Sequence, residues 1–80
     1  LFNSVTLYPN PFKNELKINI QNNSSINKVI IFNVLGVQVK EVSINSQITS
    51  ISTNDFASGV YIVKLFNTEG SHVIKKLIKQ

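Results

Sequence analysis

The sequence predicts an all-β fold, a seven-stranded antiparallel β-sandwich, and three observations carry that prediction. Ile, Val and Thr supply 24 of the 80 residues, whereas Ala occurs once and Met never. Side chains branched at Cβ pack well on a pleated sheet and lose rotamer freedom in a helix. Eleven Asn and nine Ser bond their own backbone in turns and compete with helix formation. Apolar residues alternate in short runs spaced about ten residues apart, with no exchange of strand and helix patterns, so two antiparallel sheets packed face to face follow.

The elements are justified in chain order. Ser4 to Tyr8 alternates, with Val5 and Leu7 on one side, and stops at Pro9-Asn10-Pro11, where two prolines remove ladder donors. It is expected to be a short edge strand. Glu15 to Gln21 places Leu16, Ile18 and Ile20 inward against Glu15, Lys17 and Asn19, and ends at Asn22-Asn23-Ser24-Ser25. Lys28 to Val34 is apolar on both faces, which suits a central strand covered on both sides. Leu35-Gly36 turns the chain into Val37 to Ile44. There Val37, Val39, Val42 and Ile44 are expected inward, with a bulge near Lys40-Glu41.

Gln47 to Thr53 is a strand of less regular pattern, since Ile48 and Ile51 lie three apart. A corner at Asn54 to Gly59 leads into Val60 to Phe66, the strongest β run and a central strand. Asn67-Thr68-Glu69-Gly70 is a hairpin loop that returns into Ser71 to Lys79. In this last segment Val73, Ile74, Leu77 and Ile78 have helical spacing. The segment is nevertheless too short for a stable helix and the hairpin supplies a partner, so a strand is expected. Those four residues are expected to pack, and Lys75, Lys76 and Lys79 to project to solvent.

Eighty residues make one small domain, and the absence of cysteine excludes disulfides and thiolate metal sites, so hydrophobic burial must hold it together. The net charge is +4, carried entirely by lysine and spread from Lys13 to Lys79. With no arginine fork and only the Lys75-Lys76…Lys79 end clustered, a solvated basic surface is expected rather than nucleic-acid binding. No apolar run approaches the ~18 residues of a membrane span, and the start lacks the basic opening of a signal peptide. No membrane insertion is expected, and the chain reads as excised from something longer.

The inventory for chemistry is thin. One histidine, His72, neighbours only Glu69 in sequence, and the acids Glu15, Glu41, Asp55 and Glu69 are well separated. Neither a triad, a carboxylate pair for glycoside hydrolysis nor a zinc or calcium spacing is present, so no catalytic, cofactor or metal site is expected. His72 is expected as an exposed strand-end residue and Asp55 as a turn residue accepting backbone N–H bonds. Asn22-Asn23-Ser24 and Asn23-Ser24-Ser25 match a glycosylation acceptor pattern that arises by chance in an Asn- and Ser-rich chain. Carbohydrate binding is disfavoured because there is no Trp to offer a planar platform. Asp55-Phe56-Ala57…Tyr61 resembles, at longer spacing, the tyrosine corner of immunoglobulin-like sandwiches. Tyr61 is therefore expected in the core with its hydroxyl bonded to backbone at the preceding corner.

Four segments in fixed order go beyond composition: Tyr8-Pro9-Asn10-Pro11, Val29 to Gly36 (VIIFNVLG), Ala57 to Lys64 (ASGVYIVK) and Lys75-Lys76-Leu77-Ile78-Lys79. Together they resemble the type A C-terminal sorting domain of proteins exported by the type IX secretion system of Bacteroidota, over essentially the whole chain. Phe56 stands where leucine is common in that family, and Gln80 follows Lys79.

The resemblance implies a single domain, residues 1–80, at the C-terminus of a longer exported protein. Its function would be an address. Cargo folds in the periplasm, the domain leads it to the type IX translocon in the outer membrane, an outer-membrane shuttle protein binds it, and a surface sortase removes it. The cargo is then secreted or held at the cell surface. Cleavage just upstream of the first strand would place residue 1 at or after the cut. The residues implied in recognition are Tyr8, Pro9, Asn10, Pro11, Gly36, Gly59, Tyr61, Lys75, Lys76 and Lys79. The first and last strands are the expected exposed edges, able to add to a partner's sheet. The alternative is a non-catalytic immunoglobulin-like accessory, carbohydrate-binding or spacer module of a secreted enzyme.

Overall fold

The computed structural model describes residues 5–21 and 25–80. Seven strands follow in order: β1 (Val5–Tyr8), β2 (Glu15–Ile20), β3 (Ile26–Asn33), β4 (Gln38–Ser43), β5 (Ile48–Ser52), β6 (Gly59–Asn67) and β7 (His72–Lys79). They form a three-stranded sheet ordered β1-β2-β5 and a four-stranded sheet ordered β4-β3-β6-β7, with every strand pair antiparallel. The alternating strand β2 is the clearest case of pattern dictating structure. Leu16, Ile18 and Ile20 are buried, and they face Val29, Ile31, Val63 and Leu65 from the central strands of the other sheet in one continuous core. The expected Ser4 and the Asn22–Ser24 turn with its acceptor patterns lie outside the described residues.

Three expectations are corrected. In β4 the expected bulge is present beside Lys40, with Val39 as the extra residue since Ile31 pairs with Lys40 and Phe32 with Gln38, but the inward placement of Val37 and Val39 fails. This bulge precedes Lys40-Glu41 and leaves Val37 and Val39 exposed, while Val42 packs on the core and Ile44 is buried. Strand β3 is central, but only one of its faces meets the other sheet. On its outer face the lysine stems and ammonium groups act as covers: Lys28 Nζ lies 5.1 Å from the Phe66 ring centre and Lys64 Nζ 5.2 Å from that of Phe32.

The third correction concerns β7, where the strict two-residue period decides which side chains pack. Val73 and Leu77 face inward, and so do Lys75, half-buried, and Lys79, only 8% exposed. Ile74 and Ile78 are exposed on the outer face beside Lys76. Of the three terminal lysines, Lys76 alone projects freely.

Gly36 and Gly59 adopt φ of +83° and +145°, and a Cβ at either position would meet no atom within 4 Å. Replacement by Val therefore carries the conformational cost alone, about 1–3 kcal/mol each. Against a total of roughly 4–12 kcal/mol for a domain of this size, both variants should show clearly lowered denaturant midpoints. Unchanged midpoints would refute the assignment.

Candidate recognition end of the sandwich

The antiparallel registers bring the four motif segments to one end of the molecule. Tyr8 pairs with Lys17 and Glu15 with Ser52 in one sheet, while Asn33 pairs with Tyr61 and Gly59 with Lys79 in the other. The 9–14 connection, the 34–37 turn, the 53–58 corner and the last residues of β7 therefore share that end. Residues far apart in sequence become neighbours there.

The connection between β1 and β2 begins and ends in the three-stranded sheet but reaches over to β7 of the other sheet on the way. Both of its X–Pro bonds are cis, and Pro9, Asn10 and Pro11 are exposed. Phe12 follows them inward, 1% exposed, and its backbone bridges to β7 in parallel fashion. Phe12 N–H donates to Ile78 O at 2.9 Å, and Gln80 N–H donates to Phe12 O at 2.8 Å. The Asn10 Oδ1 accepts from Ile78 N–H at 3.2 Å. The first and last motifs are thus one hydrogen-bonded unit, and β7's free edge is covered at its C-terminal end.

Beneath the bridge lies an aromatic cluster. The Phe12 ring meets Phe56 and Tyr61 edge-on, at 6.4 and 6.1 Å between centres, and Phe56 stacks on Tyr61 at 5.1 Å. Tyr61 is buried and its hydroxyl donates to Ala57 O at 2.6 Å, as expected of a core tyrosine anchored at the preceding corner. The corner itself is fixed by Thr53 rather than by Asp55, which is exposed. Thr53 Oγ1 donates to Lys13 O at 2.9 Å, Thr53 N–H to Asn14 O at 2.9 Å, and Phe56 N–H to Thr53 O at 3.0 Å.

Among the residues implied in recognition, Tyr8, Pro9, Asn10, Pro11, Gly36 and Gly59 are exposed at this end, Tyr61 and Lys79 are internal to it, and Lys76 is exposed on β7. Lys75 and Lys76 line a groove of about 300 Å³ with Asn10, Val5, Thr6, Leu7 and Leu77, between the free edges of β1 and β7. His72 is an exposed strand-end residue at the opposite end, its ring 5.3 Å from that of Phe66. Among the described residues no group of three His, Cys, Asp or Glu side chains converges as a metal site would require. Sequence reasoning missed Phe12 and Thr53. A lone phenylalanine directly after a proline-rich polar stretch was the available signal for the first; nothing local marks Thr53.

The family described as secretion system C-terminal sorting domain matches residues 6–80. The chain belongs to that family. A 59-residue stretch, 74% of this chain, is 39% identical to beta-agarase A of Zobellia galactanivorans and covers 11% of that protein. Among solved structures, an immunoglobulin-like β-sandwich of the DUF3244 family from Bacteroides vulgatus aligns with a TM-score of 0.81 at 18% identity, over 96% of this chain and 85% of that one. PorZ, an essential bacterial surface component of the type IX secretion system of Porphyromonas gingivalis, aligns with a TM-score of 0.72 at 21% identity, over 99% of this chain and 12% of PorZ. At these identities the two structures establish the sorting domain's fold as an immunoglobulin-like sandwich.

Two substitutions test the bridge. Phe12→Ala removes a fully buried ring and should cost about 3–5 kcal/mol, a large share of the total for a domain of this size. Tyr61→Phe keeps the packing and loses one hydrogen bond, so about 1 kcal/mol is expected. Equal midpoints for the two variants in urea titration would contradict this account of the cluster.

Proposed function

We propose that this sorting domain is the address by which an attached cargo crosses the outer membrane through the type IX secretion system. In this reading residues 1–80 are the C-terminal domain of a longer exported protein that passes through the periplasm and ends at the cell surface or in the medium. The translocon and an outer-membrane shuttle protein recognise the domain, a sortase removes it, and the domain itself performs no catalysis. The observation that carries the reading is the family match across residues 6–80. The relative's proportions add support, because the matched stretch is a small part of a much larger agarase chain.

The geometry suggests how a folded module serves as an address. Recognition would use the exposed turns and edges at the motif-bearing end: Tyr8 to Pro11, the 34–37 turn, Gly59, and Lys75 and Lys76 along the groove. Tyr61 and Lys79 would act from inside by holding that end together. Basic groups at the groove favour a partner surface carrying carboxylates.

A passive reporter with a periplasmic signal peptide and this domain at its C-terminus should appear outside cells that possess the type IX machinery, and stay periplasmic in a strain lacking it. Equal export from both strains would favour the accessory-module reading instead. Lys76→Ser changes an exposed side chain and should leave stability within about 0.5 kcal/mol of wild type. Periplasmic accumulation of that stable variant would place Lys76 in the contact; normal export would remove it.

A further inference from the structure

The two sheets have four edge strands, and three of them are guarded against pairing with another chain. β1 stops before Pro9 and Pro11 and lies across the groove from Lys75 and Lys76. β4 carries the bulge at Val39 beside Lys40 and Glu41, and β7 carries Lys75, Lys76 and Lys79, with Phe12 and Asn10 bonded to its end. Charges, prolines, bulges and covering segments are the devices that keep sheet edges from adding strands. β5 has none of them. It pairs with β2 in unbroken register from Ile48 to Ser52, and the run from Val42 to Asn54 contains no charged residue and no proline.

The ladder shows which groups the open edge offers. Ile20 N–H donates to Gln47 O at 2.7 Å and Thr53 N–H to Asn14 O at 2.9 Å. Odd-numbered residues of β5 therefore bond to β2, and the N–H and C=O groups of Ile48, Ser50 and Ser52 point away from the sheet. Ser46 Oγ donates to Ile48 O at 3.0 Å, which uses one of that oxygen's two lone pairs. The side chains of Ile48, Ser50 and Ser52 are exposed on the outer face, whereas Thr49 is half-buried and Ile51 buried on the core face.

We infer that β5 is a self-association edge, at which a second copy of this chain adds its own β5 antiparallel about a two-fold axis through Ser50. Ser50 then pairs with Ser50 of the second copy and Ile48 with its Ser52, each pair exchanging both backbone hydrogen bonds. Thr49 meets Ile51 on the core face, so both faces keep their character across the joint. Charge selects this occupant. A second copy carries the same net +4 and is repelled wherever lysine meets lysine, yet along this edge the register brings no charge to the axis before Lys17, the β2 partner of Ser50. The two Lys17 positions lie three strand spacings apart, about 14 Å, beyond the ~8 Å Debye length of physiological salt. A carboxylate-bearing partner finds its complement at the Lys75–Lys76 groove and none here. Pairing uses up both β5 edges, so assembly closes at two copies, and it leaves the motif-bearing ends pointing in opposite directions. Self-association stands apart from the sorting function and is read by mass and crosslinking rather than by export.

Sedimentation equilibrium of the purified 80-residue chain tests the pairing. The wild-type mass should climb toward twice the monomer value between about 10 µM and about 1 mM, the range of a small, weak interface. Ser50→Lys sets two ammonium groups opposite each other across the axis, on Cα atoms about 5.5 Å apart, and should stay monomeric throughout. It should melt within about 3 °C of wild type, because Ser50 is exposed. Ser58→Lys adds the same charge at the 53–58 corner and should pair like wild type. Register is read with cysteines introduced into a chain that has none. On mild oxidation Ser50→Cys should form a disulfide dimer at least about tenfold faster than Ser52→Cys, because a separation of about 5.5 Å suits the bond and the image of Ser52 lies farther off, opposite Ile48. If Ser50→Lys fails to fold, the two cysteine rates decide. A wild-type chain that stays monomeric to about 1 mM overturns the inference. So does a Ser50→Lys variant that pairs like wild type, a mass beyond two copies, or equal disulfide rates at positions 50 and 52. A monomeric wild type whose photo-crosslinking amino acid at position 50 gives one heterologous protein adduct in cells overturns it in favour of a foreign strand.

Discussion

The backbone bridge from Phe12 to β7 is the constraint on which the motif-bearing end depends. Each sheet is complete in its own ladder, and core side chains alone can press two sheets together without fixing how their ends align. The Phe12 N–H and C=O, bonded to Ile78 O and Gln80 N–H, convert that contact into a defined register. Phe12 then enters the core, where Phe56 and Tyr61 close around it. Asn10 extends the same edge by one side-chain hydrogen bond. Through these few groups the corner before β6, the connection after β1 and the end of β7 become a single rigid surface.

Legibility in the sequence followed the range of the interaction. β2 was legible because Leu16, Ile18 and Ile20 alternate cleanly and one face is fully buried, so pattern and burial state the same fact. Tyr61 was legible for a similar reason, since its hydroxyl partner Ala57 lies four residues away. β7 misled because residue type and period conflict there: Lys75 and Lys79 occupy inward positions while Ile74 and Ile78 point out. A long lysine stem can cover apolar surface at a sheet edge and still deliver its amine toward solvent, so the period prevails over the type. Val37 and Val39 misled because a bulge is a property of a strand pair, visible only once Ile31 and Phe32 are matched to Lys40 and Gln38.

The candidate site was legible in part. The four motif segments could be read from the chain, but their convergence required the register of both sheets. Thr53, which ties the corner to the carbonyl of Lys13, carries no local mark of that role. Leu35 reads as the start of a turn but Val34 as the last residue of a hydrophobic strand, and only the turn built by Asn33 shows that Val34 too leaves the sheet.

Asn10 and Ile78 are 68 residues apart, so their contact encloses almost the entire described chain. Closing so large a loop is repaid only after the intervening strands have paired, which places this end late in assembly. The surface that gathers the four motifs is consequently a conjunction. Neither the proline-bearing segment nor the lysine-bearing strand presents it alone, and a short linear peptide from either cannot reproduce it. A receptor that gripped this end, as proposed above, would therefore meet its surface only on a completed β-sandwich.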